Sequence, residues 1–405
     1  MADDEEPFPL LPITSTATIN KCASLPLKRG DVFVASFPKS GTTWMQHIVH
    51  TLATNGDSPL PHVSDACPFF EVDRTWSTTS PDPLLADSVR ANHAKIAPVR
   101  IFNTHLRWAM MPKGSDDARY VYMTRRAVDA CVSFYHHLSH QAPEDGGFDG
   151  TLGEFIDEWT GGRMFFGSWS AHLKSWLTAA ESDKRILIVP YEGLKADPST
   201  WVRKVSKHCG FGLSDERVDE LLPRFTFEWM RANEQQFEPR SVRWVQKPLG
   251  GGGDQNADGE FHFIRAGRVG DGDKPFATPS EAAKLTSMVE RTFGSSEGGS
   301  FVIPSRVAKL LPGGDESDED DDEEEEEEEE APLPPLSWFI VALIYLGGSL
   351  LCLLFGVLHY LEVSDSIKGI WLIFALFPFC LMYSIAMWRS QRKAAALEGE
   401  AKKND

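Results

Sequence analysis

A lysine, a serine and two threonines crowd into one short turn, Phe37-Pro38-Lys39-Ser40-Gly41-Thr42-Thr43-Trp44, and together these residue types can hold a phosphate. The apolar run Val32–Ala35 precedes the turn, and the segment Thr42–Leu52 behind it carries Trp44, Ile48 and Leu52 on one helical face. A strand that passes through a glycine-containing turn into a helix leaves backbone N–H groups aimed at one spot, where the helix dipole adds partial positive charge. Lys39 supplies a full positive charge, and Ser40, Thr42 and Thr43 supply hydroxyl donors. This is not a Walker A loop, which needs a glycine just before the lysine, where Pro38 stands. The plainer alternative is a helix N-cap built from Ser and Thr.

Three further groups of polar residues follow. His105 comes directly after Val99-Arg100-Ile101-Phe102-Asn103-Thr104, a strand-like run; taken alone, a histidine at a strand end reads as a hydrogen-bonded structural residue. Tyr122-Met123-Thr124-Arg125 leads through Asp129 to Ser133-Phe134-Tyr135-His136, placing a serine eight residues after an arginine. A guanidinium fork and a hydroxyl suit a phosphate. Arg265-Ala266-Gly267-Arg268-Val269-Gly270-Asp271 is a late basic, glycine-containing segment.

In this order and approximate spacing, over roughly residues 20 to 308, these segments resemble the cytosolic sulfotransferase family. Pro38–Trp44 reproduces that family's P-K-S-G-T-T-W loop for the 5′-phosphosulfate. The resemblance implies that the co-substrate is 3′-phosphoadenosine 5′-phosphosulfate (PAPS), bound through Lys39, Ser40, Gly41, Thr42, Thr43 and Trp44. Arg125 and Ser133 would hold the 3′-phosphate, together with Arg265, Ala266 and Gly267 of a segment similar to R-K-G-x-x-G-D. Tyr191 and Phe227 look like the family's adenine contacts. His105, matching the family's K-T-H segment, would be the general base that takes the acceptor hydroxyl's proton. Lys39 would stabilise charge on the leaving phosphate oxygen. No metal is expected. The implied acceptor is a small molecule, with no nucleic acid partner.

The chain also departs from that pattern. Asn103 replaces the lysine before T-H and removes a positive charge near the transferring group, which implies either slower turnover or a second charge from elsewhere, with Arg107 a candidate. Ala266 replaces a lysine near the 3′-phosphate. No K-x-x-x-T-V dimer motif is evident after Asp271, which leaves dimerisation open.

The elements that must position these residues read as an α/β domain, three-layered and P-loop-like, with a mainly parallel sheet flanked by helices. Val32–Ala35, Val99–Phe102, Tyr120–Met123 and Arg185–Val189 are the expected strands. Trp159, Trp169, Leu173 and Trp176 fall on helical segments, with core packing preferred over an acceptor-lining role for the tryptophans. His136 and His137 are expected on the helix surface or in the core, and Cys131 on the buried face of the same helix. Gly250–Gly253 is an expected mobile loop.

Composition divides the rest of the chain. Of the formal net charge of -19, 15 negative charges lie in Asp315–Glu330, leaving -4 for everything else, so the low pI says nothing about the folded part's substrate. The six cysteines are scattered, with no C-x-x-C pair, and suggest neither a disulfide framework nor a zinc site. Met1–Glu6 is acidic and has no signal-peptide character. The uncharged runs Leu336–Leu361 and Gly369–Trp388 are each long enough, at about 1.5 Å per residue, to cross a hydrocarbon core of roughly 30 Å. Arg389, Arg392 and Lys393 follow the second run. The expected organisation is a disordered segment 1–20, a catalytic domain 21–311, an acidic disordered linker 312–335, a transmembrane helical hairpin 336–388 in a lipid bilayer, and a cytoplasmic tail 389–405. By the positive-inside rule the catalytic domain would face the cytoplasm.

Two other functions share parts of this pattern. A phosphoryl-transferring kinase would share the loop but needs Mg²⁺ ligands that the sequence does not offer. A catalytically impaired, membrane-bound scaffold is favoured by Asn103 and Ala266 and opposed by Lys39, His105, Arg125 and Ser133.

Overall fold

The computed structural model describes residues 7–80, 84–96, 99–114, 118–249 and 261–293. The chain divides into two units, Met1–Glu316 and Ser317–Asp405. All of the second unit lies outside the described residues, as do the glycine run 250–253, the linker 312–335, the hairpin 336–388 and the tail 389–405. Among the described residues no helix is long and apolar enough to cross a membrane.

Among the described residues four strands form the sheet: β1 (Val32–Ser36), β2 (Ile101–Thr104), β3 (Arg119–Thr124) and β4 (Ile186–Pro190). Their order is β2-β1-β3-β4, and every pairing is parallel. β1 is buried along its whole length. Phe33 and Ala35 enter one apolar cluster while Val32 and Val34 enter another. Successive side chains of a strand point to opposite faces, so a strand buried on both must sit between two helical layers. That is the expected three-layer arrangement. One layer holds the helix α2 (Thr42–Ala53), with Met45, Ile48, Val49 and Leu52 against the sheet. The other holds the helices Ala127–Ser139, Leu152–Thr160 and Trp169–Ala180.

Trp159, Trp169 and Trp176 are fully buried in this second layer, as the core reading expects, and none lines the large cavity. Trp176 stacks on Tyr122 at 4.9 Å and donates from Nε1 to the carbonyl of Leu106 at 3.0 Å. Cys131 is likewise buried.

Two expectations are corrected. β2 begins at Ile101 rather than Val99 and runs on to Thr104, because Asn103 and Thr104 continue the pairing with Val34 and Ala35. The segment expected to be disordered up to residue 20 is ordered from Pro7 onward. The helix α1 (Thr16–Ala23) starts there with Ser15 as its cap, Leu11 is buried, and the Phe8 ring meets that of Phe166 at 5.9 Å. Its acidic and proline-rich opening masks an apolar set, Phe8, Leu11 and Ile13, that packs against the core.

Candidate active site

Each strand hands its chain to a site residue at its carboxyl end. Ser36 of β1 leads to Lys39, Thr104 of β2 to His105, Thr124 of β3 to Arg125 and Pro190 of β4 to Tyr191. The connection from β1 goes to β2 on one side, and the chain then returns past β1 to β3 on the other. Parallel sheets open a crevice where the strand order reverses in this way, and ligands bind in it. Here that crevice lies between Lys39 and Arg125.

A cavity of about 270 Å³ opens there, lined by Lys39, Gly41, Thr42, Thr43, Trp44, His105, Arg125, Ser133, Tyr191, Phe227, Arg265, Ala266 and Gly267. These groups, far apart in sequence, thus face one space. Ser40 is the exception: it is 1% exposed and lies behind the turn, with an Oγ that has no partner.

The phosphate turn is built for an anion. The cap position of α2 is Gly41 at φ 96°, and no side chain caps the helix. The plain Ser/Thr N-cap is therefore not what the turn forms, and the first N–H groups of α2 stay available. Lys39 itself sits at φ 65°, a conformation that a residue with a side chain rarely holds. A Cβ on Gly41 would lie 2.8 Å from the Tyr191 ring, so only glycine lets that tyrosine close over the turn. The Arg125 guanidinium secures the turn from the other side: Nη1 donates to the Lys39 carbonyl at 2.8 Å, and Nη2 donates to that of Arg268 at 3.1 Å. It also lies 4.5 Å from the Tyr191 ring centre, and its Nε is buried without a partner. Burial, then the charges of Arg125 and Arg265, lowers Lys39 to about 7. Repulsion among three such cations is relieved when Lys39 gives up its proton or when an anion binds among them.

The late basic segment reaches the site through Asp129. Its two carboxylate oxygens accept from the backbone N–H of Gly270 at 2.9 Å and of Gly272 at 2.8 Å. Gly267, at φ 56°, brings the backbone against Phe227, whose ring a Cβ there would meet at 2.5 Å. Arg265 pairs with Asp271 at 2.8 Å.

His105 is held on all sides. Its Nδ1 donates to the Ser36 carbonyl at 2.8 Å, which places the ring proton there and leaves Nε2 as the basic atom. Its backbone N–H donates to Glu71 Oε1 at 2.6 Å, and its carbonyl accepts from His172 Nε2 at 2.9 Å. His172 Nδ1 in turn accepts from the Tyr122 hydroxyl at 2.9 Å. Phe69 and Phe166 flank the imidazole at 5.4 and 5.2 Å. Burial, then the nearby Lys39 charge, pushes His105 down to about 4, so it is neutral and proton-accepting near pH 7. Burial raises Glu71 to about 8.

The sequence reading missed several of these groups. Glu71, His172 and Tyr122 belong to three distant segments, and no local pattern joins them to His105. His137 was expected to be a bland helix residue, yet it lines the cavity with Nδ1 3.2 Å from Lys39 Nζ. The signal was present: His137 lies four residues after Ser133, one turn along the same helix face. Arg107, the candidate for the missing positive charge, is not among the residues lining the cavity. It donates to the Pro7 carbonyl at 3.1 Å and lies over Phe8, drawn away by the ordered N-terminal segment.

Leu11, Ile13, Phe69, Phe134, Leu138 and Phe166 add apolar side chains to the same lining, beside the polar Gln46, Ser64, Asn103, Gln141 and Ser241. One cavity thus brings a proton acceptor together with cations and with hydrocarbon side chains.

Comparison with known proteins agrees with this arrangement. Residues 29–297 match the sulfotransferase domain family. Sulfotransferase 1C2 of rat is 31% identical over 254 residues, covering 60% of this chain and 77% of the relative. Sulfotransferase 1C2 of human is 30% identical over 217 residues, covering 52% and 69%. Among solved structures, the mouse sulfotransferase SULT7A1 complexed with PAP is similar in fold, with a TM-score of 0.50 at 23% identity over 70% of this chain and 92% of that one. Retinol dehydratase in complex with androsterone and PAP has a TM-score of 0.52 at 20% identity, covering 69% and 85%. A family match that takes in the phosphate turn, His105, the Arg125–Ser133 pair and Arg265–Gly267 leaves one conclusion: this chain belongs to the sulfotransferase family.

Proposed function

We propose that the chain transfers a sulfuryl group from PAPS to a hydroxyl or amine of a small, lipophilic acceptor. The observation that carries this reading is the single cavity in which Lys39, Arg125 and Arg265 converge with a neutral His105 and with apolar side chains such as Phe69, Phe134 and Phe166. Arg125, which lines the cavity and has an Nε buried without a partner, fits a ligand rich in anionic acceptors. Lys39 and the α2 N-terminus would take the 5′-phosphosulfate, Arg125, Ser133 and Arg265–Gly267 the 3′-phosphate, and Tyr191 and Phe227 the adenine.

In the transfer, the acceptor oxygen forms a bond to sulfur as the bond from sulfur to the 5′-phosphate oxygen breaks. His105 Nε2 accepts the acceptor's proton, and the Nδ1–H bond to Ser36 stabilises the imidazolium that results. The Lys39 ammonium offsets the charge that grows on the departing phosphate. The solved relatives that hold retinol or androsterone support an apolar acceptor. The uncharged runs 336–361 and 369–388 support attachment to a lipid bilayer with the catalytic domain on the cytoplasmic side, where such acceptors partition.

The purified protein, incubated with labelled PAPS or with ATP and a panel of phenols, sterols and lipid alcohols, should transfer only from PAPS. His105→Ala should lower kcat by roughly 10²–10⁴-fold with PAPS binding retained. Transfer from ATP would favour the kinase reading, and wild-type protein that binds PAPS without transferring to any acceptor would favour the scaffold. Deleting residues 312–405 should reduce activity on acceptors embedded in vesicles; unchanged activity would remove the membrane part of the proposal.

A further inference from the structure

Resting on that reading, we propose that His137 is a positioning residue for transfer, whose Nδ1 lone pair holds the Lys39 ammonium at the reacting end of the cavity. Among the described residues, the cations that line the cavity differ in how they are anchored. Arg125 is tied to two backbone carbonyls and Arg265 to Asp271, so their charges are placed by the fold. Lys39 has its backbone fixed by the turn and by Arg125, but its side chain carries the charge on a flexible four-carbon stem. Two contacts locate that ammonium: His137 Nδ1 at 3.2 Å and the face of Phe263, 4.6 Å from its centre.

An ammonium has only donors, so His137 must accept and must carry its own proton on Nε2. The residue can do this because it is neutral: burial, then the charges of Lys39, His105 and His140, holds it well below the usual histidine range. Trp244 and Phe263 pack edge-on to its ring, at 5.0 and 6.0 Å, and keep the imidazole from turning away.

The need for such a holder follows from what is missing around it. Asn103 stands where a second lysine would have been expected, and its amide donates to the Cys67 carbonyl at 3.5 Å. Arg107 is engaged with Pro7. The charges of Arg125 and Arg265 repel the Lys39 ammonium rather than hold it, so without His137 only the Phe263 face would locate it and it would be free to settle on whichever phosphate oxygen binds it most strongly. It would then serve binding rather than the oxygen that leaves in the transition state.

Two variants separate this role from packing. His137→Phe keeps a flat ring against Trp244 and Phe263 but cannot accept a hydrogen bond from Lys39. His137→Asn loses the ring and keeps an acceptor near the Nδ1 position. With PAPS and a phenol acceptor, H137F should lose about 10-fold in kcat, the scale of a hydrogen bond to a charged group, while the Kd for adenosine 3′,5′-bisphosphate changes less than about 3-fold. H137N should recover most of the rate. H137F with wild-type kcat, or H137F and H137N equally slow, would overturn the inference while leaving PAPS-dependent transfer by the wild type intact. Wild-type protein with no transfer would instead overturn the functional reading and this role with it.

Discussion

Arg125 donates from Nη1 to the backbone carbonyl of Lys39 at 2.8 Å, so the arginine that ends β3 braces the turn that ends β1. One side chain thereby sets the distance between the two halves of the cavity, and its Nε remains buried without a partner.

Replacing Arg125 tests both duties. Arg125→Ala should cut the preference for adenosine 3′,5′-bisphosphate over adenosine 5′-phosphate by roughly 10–100-fold, the range of a charge-assisted hydrogen bond pair. Arg125→Lys should not restore it, because an ammonium cannot bridge two carbonyls in a fork. Equilibrium binding of the two nucleotides to each variant measures this, and an unchanged ratio would place the 3′-phosphate elsewhere.

Lys39 gives nucleotide binding a pH dependence. With its free-protein value lowered to about 7, the ammonium is charged below that pH and loses its proton as pH rises through it. Affinity for adenosine 3′,5′-bisphosphate should therefore be highest on the acid side and fall by roughly 10-fold between pH 6.5 and about 8.5 through proton linkage. In Lys39→Met the profile over that range should be flat. Isothermal titration across pH decides it; a wild-type affinity that rises with pH is the contrary outcome.

Glu71 makes a prediction about stability rather than rate. Its carboxyl accepts from His105 N–H and from Thr104 Oγ1 at 2.8 Å in a buried position, and burial raises it from 4.5 to about 8. Between those values the unfolded chain has released this proton while the folded chain still binds it. The group's contribution to folding stability is thus largest below pH 4.5 and declines as pH rises toward 8. Glu71→Gln should remove that slope, so the stability of wild type relative to E71Q should fall with rising pH in urea titrations. A difference independent of pH would mean that Glu71 is ionised throughout.

Gly267 is required by the approach of backbone to Phe227. A Cβ there would lie 2.5 Å from the ring, at a φ of 56°. Gly267→Ala should push Phe227 aside and weaken nucleotide binding about 10-fold, with a smaller change in thermal midpoint than in affinity. Nucleotide affinity equal to wild type would separate Phe227 from the adenine.

The phosphate turn, the strands and the two-sided burial of β1 were legible because each is a local matter. Strand, turn and helix follow one another within about twenty residues, and an apolar run flanked by glycine and hydroxyl residues has few other ways to fold. The acidic run 315–330 was equally plain, since charge density needs no partner to be read. The ordered N-terminal segment was misread because its apolar residues are few and widely spaced, and only their contacts with Phe166 and the core give them a place.

What surrounds His105 was decided by strand order. Contiguous apolar runs show the strands and imply that both faces of the sheet are covered, but they do not state that β2 pairs with β1 on one side while β3 pairs on the other. That order alone carries Glu71, His172 and Ser36 to one imidazole, and turns His137 toward Lys39 while Arg107 is drawn off to Pro7. Residue types in the chain settled which chemistry was available. Long-range packing, which depends on contacts between segments that no spacing encodes, chose the groups that tune it.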